Sequence, residues 1–564
     1  MSAFSFANVI IERNISCTMR DGIKLYADIY RPNNERTIYP VLLMRQPYGK
    51  SIASTITYAH PTWYANHGYI VVIQDVRGRG ESEGSFNPFF NEAEDGFDTV
   101  EWAAFLPSSN GKVGMYGFSY QGVTQWAAAS EQPPHLLAIA PGMCSADLYH
   151  GMFYPHGRFA LKEHLPWAFQ LARDTARRVK DADAEEIGGR VRRGIPDDLL
   201  YHLPLNAKHP LITEYFPAYY DWIEHSEYDD YWEKLNWLPK LLEKPIPALH
   251  IGGWYDVFMM GTLQTYEAMS QINSEANKPQ HLIVGPWEHI PWGRKAGGVD
   301  HGPQADGDIH HKQLLWFDTW LKTDTDSDLQ TQPAVTYFEM GSNLWRESEK
   351  AISFFQNNNQ TKNWYLSGSV KPANGSLGGG KLLETNELIS DAPPDVFVYD
   401  SRMPMPIESY VPIDRSHVEE RYEILVYSSE PSAAPLRLLG SPQLTVYYQT
   451  LEGPTDLVAI LTILQPDGTS RFLTVGRTEI CSEAGENNDW IKLTFSLRPI
   501  AIELAAGTAI RLELTGSAFP LFMRHPNGIK SALIHQVNSS ELQIASVAIS
   551  SSQQLNSFLV LPVI

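Results

Sequence analysis

Hydrophobic residues in the first 145 positions fall into short apolar runs, separated by segments in which apolar residues recur at helical spacing. Short apolar runs are typical of strands buried on both faces, and helical segments between them are typical of βαβ connections. Residues 92–102 show the helical spacing. The candidate strands are residues 24–30, 40–44, 69–73, 114–116 and 137–141. The alternation predicts a mostly parallel sheet with helices between its strands.

Residues 146–243 differ, because charged and aromatic residues dominate there and strand-like runs are scarce. Residues 169–178 and 228–235 have helical patterns. We predict a helical insertion that lies over the functional site as a cap. Its aromatic side chains either form the core of the insertion or line a substrate pocket.

Strand patterns return at residues 246–253 and 280–285, with a helical pattern at 260–272 between them and another at 310–322. The sheet therefore resumes after the insertion. Residues 1–145 and 244–350 are predicted to form one discontinuous α/β core.

Beyond residue 350 the pattern changes to short alternating strands separated by turns rich in Gly, Pro and Asn. Residues 466–468 (PDG) predict a hairpin turn, and the Gly- and Ser-rich residues 375–380 predict a surface loop. We predict an all-β jelly-roll sandwich over residues 351–564.

Composition narrows the class of protein further. The net charge of −21 on 564 residues makes nucleic acid and anionic membrane surfaces poor partners. The three cysteines are far apart and lack metal-type spacing, so neither a disulfide framework nor a metal site is expected. The amino terminus lacks the basic start and apolar core of a signal peptide, and no apolar run reaches membrane-spanning length. We expect a cytoplasmic protein.

Ser119 lies in residues 117–122 (GFSYQG), between an apolar run and an Ala-rich segment. This context predicts a nucleophile elbow, in which a serine on a strand-to-helix turn presents its hydroxyl to the site. Gln121 stands where G-x-S-x-G has its second glycine, and Gly122 follows one residue later. A chain of this length contains G-x-S-x-x-G by chance roughly one time in five, so the strand–turn–helix context carries the prediction.

Ser82 has the stricter match, because residues 80–84 read GESEG. Its two flanking glutamates would repel a developing alkoxide and oxyanion. The residues after it predict no immediate helix that would supply N–H groups. We therefore interpret Ser82 as a loop residue and prefer Ser119.

A serine nucleophile needs a base and an orienting carboxylate, which in this fold class follow in the order Ser, Asp or Glu, His. Asp256 follows a strand through a glycine pair, and His289 lies in a short loop after the next strand. The alternative for Asp256 is an aspartate that caps the following helix. His281 opens its strand at the wrong end, and His310 and His311 are interpreted as first-turn helix residues.

The oxyanion hole is predicted to combine the backbone N–H of Tyr120 with a donor from the loop after an early strand. Tyr48 lies in that loop and offers a phenolic hydroxyl; packing beside the preceding proline is the alternative role. Trp254 and Phe258 are the predicted aromatic residues of the substrate pocket.

Five ordered motifs resemble those of the CocE/NonD hydrolases, a group that includes cocaine esterase, X-prolyl dipeptidyl aminopeptidases, acylases and α-amino acid ester hydrolases. They are residues 46–50 (QPYGK), 75–80 (DVRGRG), 117–122 (GFSYQG), 253–256 (GWYD) and 285–289 (GPWEH). Residues 519–520 (FP), 524 (R) and 526–527 (PN) resemble the sandwich domain of that family.

The resemblance implies an α/β-hydrolase core (residues 1–145 and 244–350), a helical cap (146–243) and a jelly roll (351–564). It implies the triad Ser119, Asp256 and His289, with Tyr48 in the oxyanion hole. The family usually carries G-x-S-Y-x-G, which Gln121 fits. Asp75 and Arg77 are implied to be structural.

We expect a serine hydrolase, without cofactor or metal, that cleaves a small-molecule ester, amide or peptide through an acyl-enzyme. The predicted class is an esterase or acylase. An X-Pro dipeptidyl peptidase is an alternative, because cap carboxylates such as Asp229, Asp230 and Glu233 would be available to anchor an amino terminus, although solvated helix positions explain them as well. Acyl transfer to an amine and a non-catalytic binding protein are further alternatives. Nucleic acid and membrane are not expected partners, and a homodimer is left open.

Overall fold

A computed structural model describes residues 4–6, 8–34, 38–53, 57–272, 278–322, 333–356, 360–388, 392–451, 453–481 and 490–564. The amino-terminal prediction of no signal peptide falls partly on residues 1–3 and 7, outside the described residues. Within the described part of the chain, no helix is both long and apolar enough to cross a membrane.

The described residues of the amino-terminal part of the chain form one sheet of eleven strands, in the order β1-β2-β3-β5-β4-β6-β7-β8-β9-β12-β13. The strands of this part, including a separate hairpin of β10 and β11, are β1 (Phe4–Phe6), β2 (Val9–Thr18), β3 (Lys24–Pro32), β4 (Tyr39–Gln46), β5 (Ile70–Asp75), β6 (Ser109–Phe118), β7 (Leu136–Gly142), β8 (Ala248–Gly253), β9 (Gln280–Gly285), β10 (Lys295–Ala296), β11 (Val299–Asp300), β12 (Val335–Glu339) and β13 (Leu344–Ser348).

The sheet is parallel from β5 through β12 and antiparallel at both edges. All residues of β4, β5 and β8 are buried, as expected for parallel strands covered on both faces. The outer strand β2 instead alternates buried and accessible positions over part of its length. The mostly parallel sheet predicted from the apolar runs is confirmed.

Helices cover both faces of this sheet. Helices α3, α4 and α12 pack on one face, and α2 and α13 on the other. The helices are α1 (Lys50–Ala53), α2 (Pro61–Asn66), α3 (Glu92–Ala104), α4 (Tyr120–Ser130), α5 (Leu161–Arg178), α6 (Ala182–Arg193), α7 (Asp197–Leu200), α8 (Pro210–Tyr215), α9 (Ala218–Glu224), α10 (Asp230–Glu233), α11 (Leu238–Glu243), α12 (Met259–Ser270) and α13 (Ile309–Leu321).

The chain between β7 and β8 forms the helical insertion, with α5 to α11 and a short π-helical turn at Tyr149–Phe153. Among the described residues of the insertion, β-pairing is limited to a single bridge between Asp147 and Asn236. Trp222 and Trp232 are fully buried in the insertion. The prediction that its aromatics form its own core is confirmed for these side chains, while Trp167 contributes to the cavity described below.

The carboxyl-terminal part is all-β. Its strands are β14 (Gln360–Ser367), β15 (Lys381–Leu383), β16 (Asp395–Asp400), β17 (Pro406–Ile407), β18 (Leu425–Ser428), β19 (Leu436–Gly440), β20 (Gln443–Thr450), β21 (Thr455–Leu464), β22 (Ser470–Ile480), β23 (Ile491–Ser496), β24 (Ile500–Leu504), β25 (Ala509–Thr515), β26 (Phe519–Pro520), β27 (Ile544–Ile549) and β28 (Phe558–Val563). We call this part the β-unit. The predicted hairpin turn at 466–468 joins β21 to β22, and Gly468 donates its N–H to Gln465 O.

The β-unit packs against both other parts of the molecule. An apolar cluster continues from β9 and β12 into β20, β21 and β25. A buried ion pair joins the insertion to β21, where Arg158 Nη2 donates to Asp456 Oδ1 at 2.7 Å, and Arg477 on β22 also binds Asp456. The exact domain boundaries stay predictions.

Candidate active site

Ser119 lies between β6 and α4, at the carboxyl edge of the parallel sheet. Its backbone has φ 59° and ψ −127°, which strains a residue that carries a side chain. The turn is held because Ser119 N–H donates to Gly142 O at 2.9 Å and Ser119 O accepts from Gly122 N–H at 2.8 Å. This conformation is the sharp strand-to-helix turn that the motif predicts.

The glycines of the motif stand where a side chain does not fit. A Cβ on Gly117, whose φ is +138°, would lie 2.4 Å from Gln121 Cβ. A Cβ on Gly122 would lie 2.5 Å from Cys144 Sγ and 2.9 Å from Gly142 O. The second glycine is therefore needed at 122, where α4 crosses the end of β7.

Asp256, His289 and Ser119 form a hydrogen-bonded chain. Ser119 Oγ lies 2.9 Å from His289 Nε2, and His289 Nδ1 lies 2.7 Å from Asp256 Oδ1. A carboxylate only accepts, so Nδ1 carries the proton and Nε2 accepts from the serine. Asp256 follows β8 and His289 follows β9, so parallel strands bring all three side chains to one edge.

The pKa of His289 is raised above its ordinary value. Burial alone would lower it, but the hydrogen bond and charge of Asp256, together with the charge of Glu163, outweigh the burial. The side chain of Asp256 is 0% exposed. A buried anion on Nδ1 stabilises the imidazolium that forms when Nε2 takes a proton.

Tyr48 and Tyr120 face the same cavity as Ser119. The Tyr48 loop is fixed by its own N–H, which donates to Gln46 Oε1 at 2.8 Å, and by Arg79 Nε, which donates to Pro47 O at 2.9 Å. Burial raises the pKa of Tyr48 to about 12, so its hydroxyl keeps its proton at neutral pH. Tyr120 is the first residue of α4, where backbone N–H groups are free of partners within the helix.

The Tyr120 side chain anchors the elbow from beneath. Its hydroxyl donates to Glu92 Oε1 at 2.7 Å and accepts from Phe89 N–H at 3.1 Å. Glu92 in turn accepts from the buried Arg45 at 2.7 Å. The residue after the serine is thus held through the hydroxyl of its ring.

The cavity above Ser119 has a volume of about 520 Å³, enough for a small organic molecule. Phe258, predicted for the pocket, lines it and packs its ring edge-to-face at 4.9 Å from His289. Trp167 also lines the cavity and stacks on Trp222 with ring centroids 5.2 Å apart. The cap and the core therefore both supply walls.

Trp254 does not lie in this cavity, which corrects the pocket prediction. Its Nε1 donates to Phe338 O at 2.7 Å, and its ring packs edge-to-face against Phe354. The loop after β8 turns Trp254 toward the apolar cluster shared with the β-unit, whereas Phe258, four residues later, points toward His289.

Glu163 is a cavity residue that the sequence reasoning missed. Its carboxylate lines the cavity without a hydrogen-bond or ion-pair partner in the described part of the chain, and burial raises its pKa. Glu163, Trp167, Gln170 and Asp174 share one face of α5 at spacings of four, three and four residues, and all four line the cavity. That periodicity was the available signal.

The other candidate groups have structural roles. Ser82 Oγ donates to Asp75 O at 2.6 Å and accepts from Tyr26 N–H, so it is engaged within its loop. Asp75 binds Lys50, and Arg77 binds Asp95, in agreement with the structural roles that the resemblance implied. The acidic residues predicted for an amine site do not line the cavity. Asp229 caps the amino terminus of α10, and Asp230 and Glu233 are the first and last residues of that helix.

One group of side chains among the described residues has metal-like spacing: the buried Asp456 and His525 with the partly exposed Glu479. The guanidinium groups of Arg158 and Arg477 already bind Asp456 there. These two guanidinium cations oppose the binding of a positively charged metal ion at the same position. His310 and His311 lie in the first turn of α13, as predicted.

Comparison with known proteins places the chain in a family. A profile described as X-Pro dipeptidyl-peptidase (S15 family) matches residues 21–291, and one described as X-Pro dipeptidyl-peptidase C-terminal non-catalytic domain matches residues 327–540. Cocaine esterase from Rhodococcus sp. (strain MB1 Bresler) is 30% identical over 591 residues, which cover 99% of each chain.

Two solved structures share the fold over nearly the whole chain. An α-amino acid ester hydrolase superposes with a TM-score of 0.79 at 22% identity, covering 100% of this chain and 98% of the other. A CocE/NonD family hydrolase from Staphylococcus aureus superposes with a TM-score of 0.67 at 20% identity, covering 99% and 94%. By its full-length similarity to cocaine esterase, the chain belongs to the CocE/NonD family of serine hydrolases.

Proposed function

We propose that Ser119 is the nucleophile of this hydrolase, His289 its general base and acid, and Asp256 the residue that orients His289. The observation that carries the proposal is the unbroken chain of short hydrogen bonds, 2.9 Å from Ser119 to His289 and 2.7 Å from His289 to Asp256. The raised pKa of His289 supports it, because such an imidazole takes the serine proton readily.

The reaction proceeds in two halves. Ser119 Oγ attacks the substrate carbonyl carbon while His289 Nε2 takes the hydroxyl proton, and the tetrahedral oxyanion accepts from the Tyr48 hydroxyl and the Tyr120 N–H. The bond to the leaving group then breaks, and His289 gives its proton to that group. Water, deprotonated by His289, attacks the acyl-enzyme carbonyl carbon. The bond to Ser119 Oγ then breaks, His289 returns the proton to that oxygen, and the acid leaves.

The preferred substrate class is an ester or amide of a small acyl group. The cavity of about 520 Å³ supports a small-molecule substrate. Its aromatic walls, Phe89, Trp167 and Phe258, favour an apolar or aromatic acyl group.

A second candidate is a substrate that carries a cation next to the scissile bond, as an X-Pro dipeptide does. Glu163 favours it, since a desolvated carboxylate without an ion-pair partner is stabilised by an incoming ammonium group. Comparing an aryl ester with an X-Pro anilide separates the candidates. If the cation is recognised, Glu163→Gln raises KM for the anilide at least tenfold and leaves KM for the neutral ester unchanged.

The serine assignment is tested with a fluorophosphonate probe. Ser119→Ala is expected to lose both labelling and turnover of an activated ester. Ser82→Ala is the matched control, because Ser82 lies in the segment that fits G-x-S-x-G strictly. The Ser82→Ala variant should still be labelled by the probe. Labelling that persists in Ser119→Ala and disappears in Ser82→Ala would overturn the proposal.

Acyl transfer to an amine stays an alternative, tested by product analysis with added amines. The cytoplasmic location and the homodimer likewise stay predictions from the sequence. Fractionation and light scattering measure them directly.

A further inference from the structure

The loop that carries Asp256 is held by a residue of the β-unit. Arg498 Nη2 donates to the main-chain carbonyl of Asp256 at 2.7 Å, across 242 positions of the chain. The carbonyl also accepts from Met259 N–H at 3.2 Å, at the start of α12. Arg498 is 3% exposed, so this bond lies out of water.

Arg498 is itself rigidly mounted. Its N–H donates to Val475 O at 3.1 Å, and its carbonyl accepts from Thr474 Oγ1 at 2.8 Å, both on β22. Its guanidinium lies 3.5 Å from the centre of the Tyr410 ring, a cation–π contact within the β-unit. The donor that reaches Asp256 therefore has little freedom to move.

The carboxylate of Asp256 depends on this support. Its Oδ1 binds His289, whereas Oδ2 is buried without a hydrogen-bond partner among the described residues. The side chain thus has a single directional contact, and its position is set by the backbone beneath it. Val257, the next residue, packs against the apolar clusters of both the core and the β-unit.

We propose that Arg498 is a positioning residue of the catalytic site, through which the β-unit holds Asp256 in hydrogen-bonding distance of His289. The proposal rests on the triad proposed above. It assigns a part in the reaction to a region whose family profile is described as non-catalytic. Arg498 acts on the chemistry through Asp256: its guanidinium donates to the Asp256 carbonyl, interacts with the charge of the Asp256 carboxylate and packs on the ring of Tyr410.

Loss of Arg498 has a defined kinetic consequence. A misplaced Asp256 no longer orients His289 or stabilises its imidazolium, and a misplacement of about 1 Å lowers turnover by up to roughly 100-fold. The other titratable groups around His289 are Glu163 and His164, and burial lowers the pKa of His164 to about 4, so it is neutral. As the bond to Asp256 weakens, the pKa of His289 falls toward its ordinary value.

The test compares Arg498→Met, Arg498→Lys and Arg524→Met, with active enzyme counted by fluorophosphonate titration. Arg524 is the matched control: it is a buried arginine of the β-unit that donates to a main-chain carbonyl, Tyr201 O, and lies over an aromatic ring, but it does not touch Asp256. For Arg498→Met we expect kcat per titrated site to fall at least tenfold, KM to change less than twofold, and the lower limb of the kcat/KM profile to move to lower pH.

Arg524→Met is expected to have the wild-type kcat per titrated site. The acid limb of its kcat/KM profile should also lie at the wild-type pH, whatever the effect of the substitution on melting temperature. Arg498→Lys, which keeps a donor, should fall between wild type and Arg498→Met. If Arg498→Met does not fold, the lysine variant decides: a lowered kcat with a shifted limb supports the proposal. Wild-type kcat per site with an unmoved limb in the folded variant overturns it. Failure of the triad proposal is seen separately, as turnover by Ser119→Ala.

Discussion

At the scale of single residues, the two proposed oxyanion donors differ in kind. The Tyr120 N–H is part of the backbone, and proline, the substitution that removes it, also removes the Tyr120 hydroxyl that binds Glu92, whereas the Tyr48 hydroxyl is a side-chain group with a pKa of about 12. A neutral donor in a buried site stabilises a developing oxyanion without the desolvation cost of a cation. Tyr48 is therefore the donor that mutation can test.

Tyr48→Phe should lower kcat about 100-fold, since removal of one oxyanion donor costs roughly 3 kcal/mol of transition-state stabilisation. KM should change little, because the lost bond forms mainly in the transition state. Steady-state kinetics on an activated ester measure both constants. Tyr154→Phe is the control: it removes a buried hydroxyl bonded to Trp222 O in the cap, and its kcat should stay at the wild-type value.

The pH dependence of kcat/KM should report the protonation of His289. The residue accepts a proton only when neutral, so kcat/KM falls as the pH drops through a pKa that lies above the ordinary value of about 6.5. Asp256→Asn removes the bond and charge that raise this pKa and leaves the burial that lowers it, so the limb should move to lower pH. Its kcat should fall by roughly 10⁴. If the acid limb of the pH profile of Asp256→Asn lies at the same pH as in wild type, Asp256 is not the group that raises the pKa of His289.

The sequence predicted that Ser119, Asp256 and His289 lie together, because each follows an apolar run and the carboxyl ends of parallel strands meet at one edge. The family resemblance pointed to the same three residues, and the structure brings them within hydrogen-bonding distance. The sequence did not separate Trp254 from Phe258. Both follow the same strand, and the direction in which a loop turns its side chains depends on contacts with distant segments. Trp254 donates a hydrogen bond to the carbonyl of Phe338 and packs against the ring of Phe354, both more than 80 positions away in the chain.

At the scale of elements, the junction of β6, α4 and β7 has almost no spare volume. Gly122→Ala should force α4 away from Cys144 and Gly142 O, and overpacking of this kind costs roughly 1–3 kcal/mol. Both the thermal midpoint and kcat should fall, since α4 carries the Tyr120 N–H. Thermal denaturation and ester turnover measure the two effects.

Gly194→Ala is the control for this substitution. A Cβ there meets no atom within 4 Å, at the end of α6. Its thermal midpoint and kcat should match wild type. Equal behaviour of the two alanine variants would mean that α4 and β7 separate without cost.

Element types were largely predictable from the chain, and element orientation was not. The sheet strands and the insertion helices follow their hydrophobic patterns, because burial on one or both faces leaves a period in the sequence. The face of α5 that turns toward Ser119 was missed, since Glu163, Gln170 and Asp174 look like solvated positions until a partner surface is known.

At the scale of the whole molecule, Asp456 joins the insertion to the β-unit. Burial alone would raise the pKa of Asp456, but the charges of Arg158 and Arg477 outweigh it and hold the pKa well below the ordinary range. A carboxyl group of this kind stabilises the folded state above its unfolded pKa of about 4, and the contribution is lost as the pH falls below that value.

Asp456→Asn should therefore lower the thermal midpoint at neutral pH, because breaking a buried ion pair costs roughly 3–5 kcal/mol. Between about pH 7 and pH 3 the loss should first stay constant and then begin to shrink below about pH 4, because wild type loses this contribution progressively as the pH falls from the unfolded pKa toward the much lower folded pKa. Thermal denaturation across that range is the measurement. Asp467→Asn is the control: it removes an exposed carboxylate that accepts from Thr469 within its own turn, so it should lower the thermal midpoint far less than Asp456→Asn at neutral pH. A gap between Asp456→Asn and wild type that does not shrink below about pH 4 would contradict the linkage.

The bond between Arg498 and the Asp256 carbonyl also bears on how the enzyme is made. Asp256 leaves the ribosome 242 residues before Arg498, which at 5–20 residues per second is a delay of roughly 12–50 seconds. During that interval the growing chain already contains the loop of Asp256 but not the arginine that fastens it. Esterase activity should therefore emerge only after residue 498 has been synthesised, and a nascent chain stalled before residue 498 should be a poor catalyst.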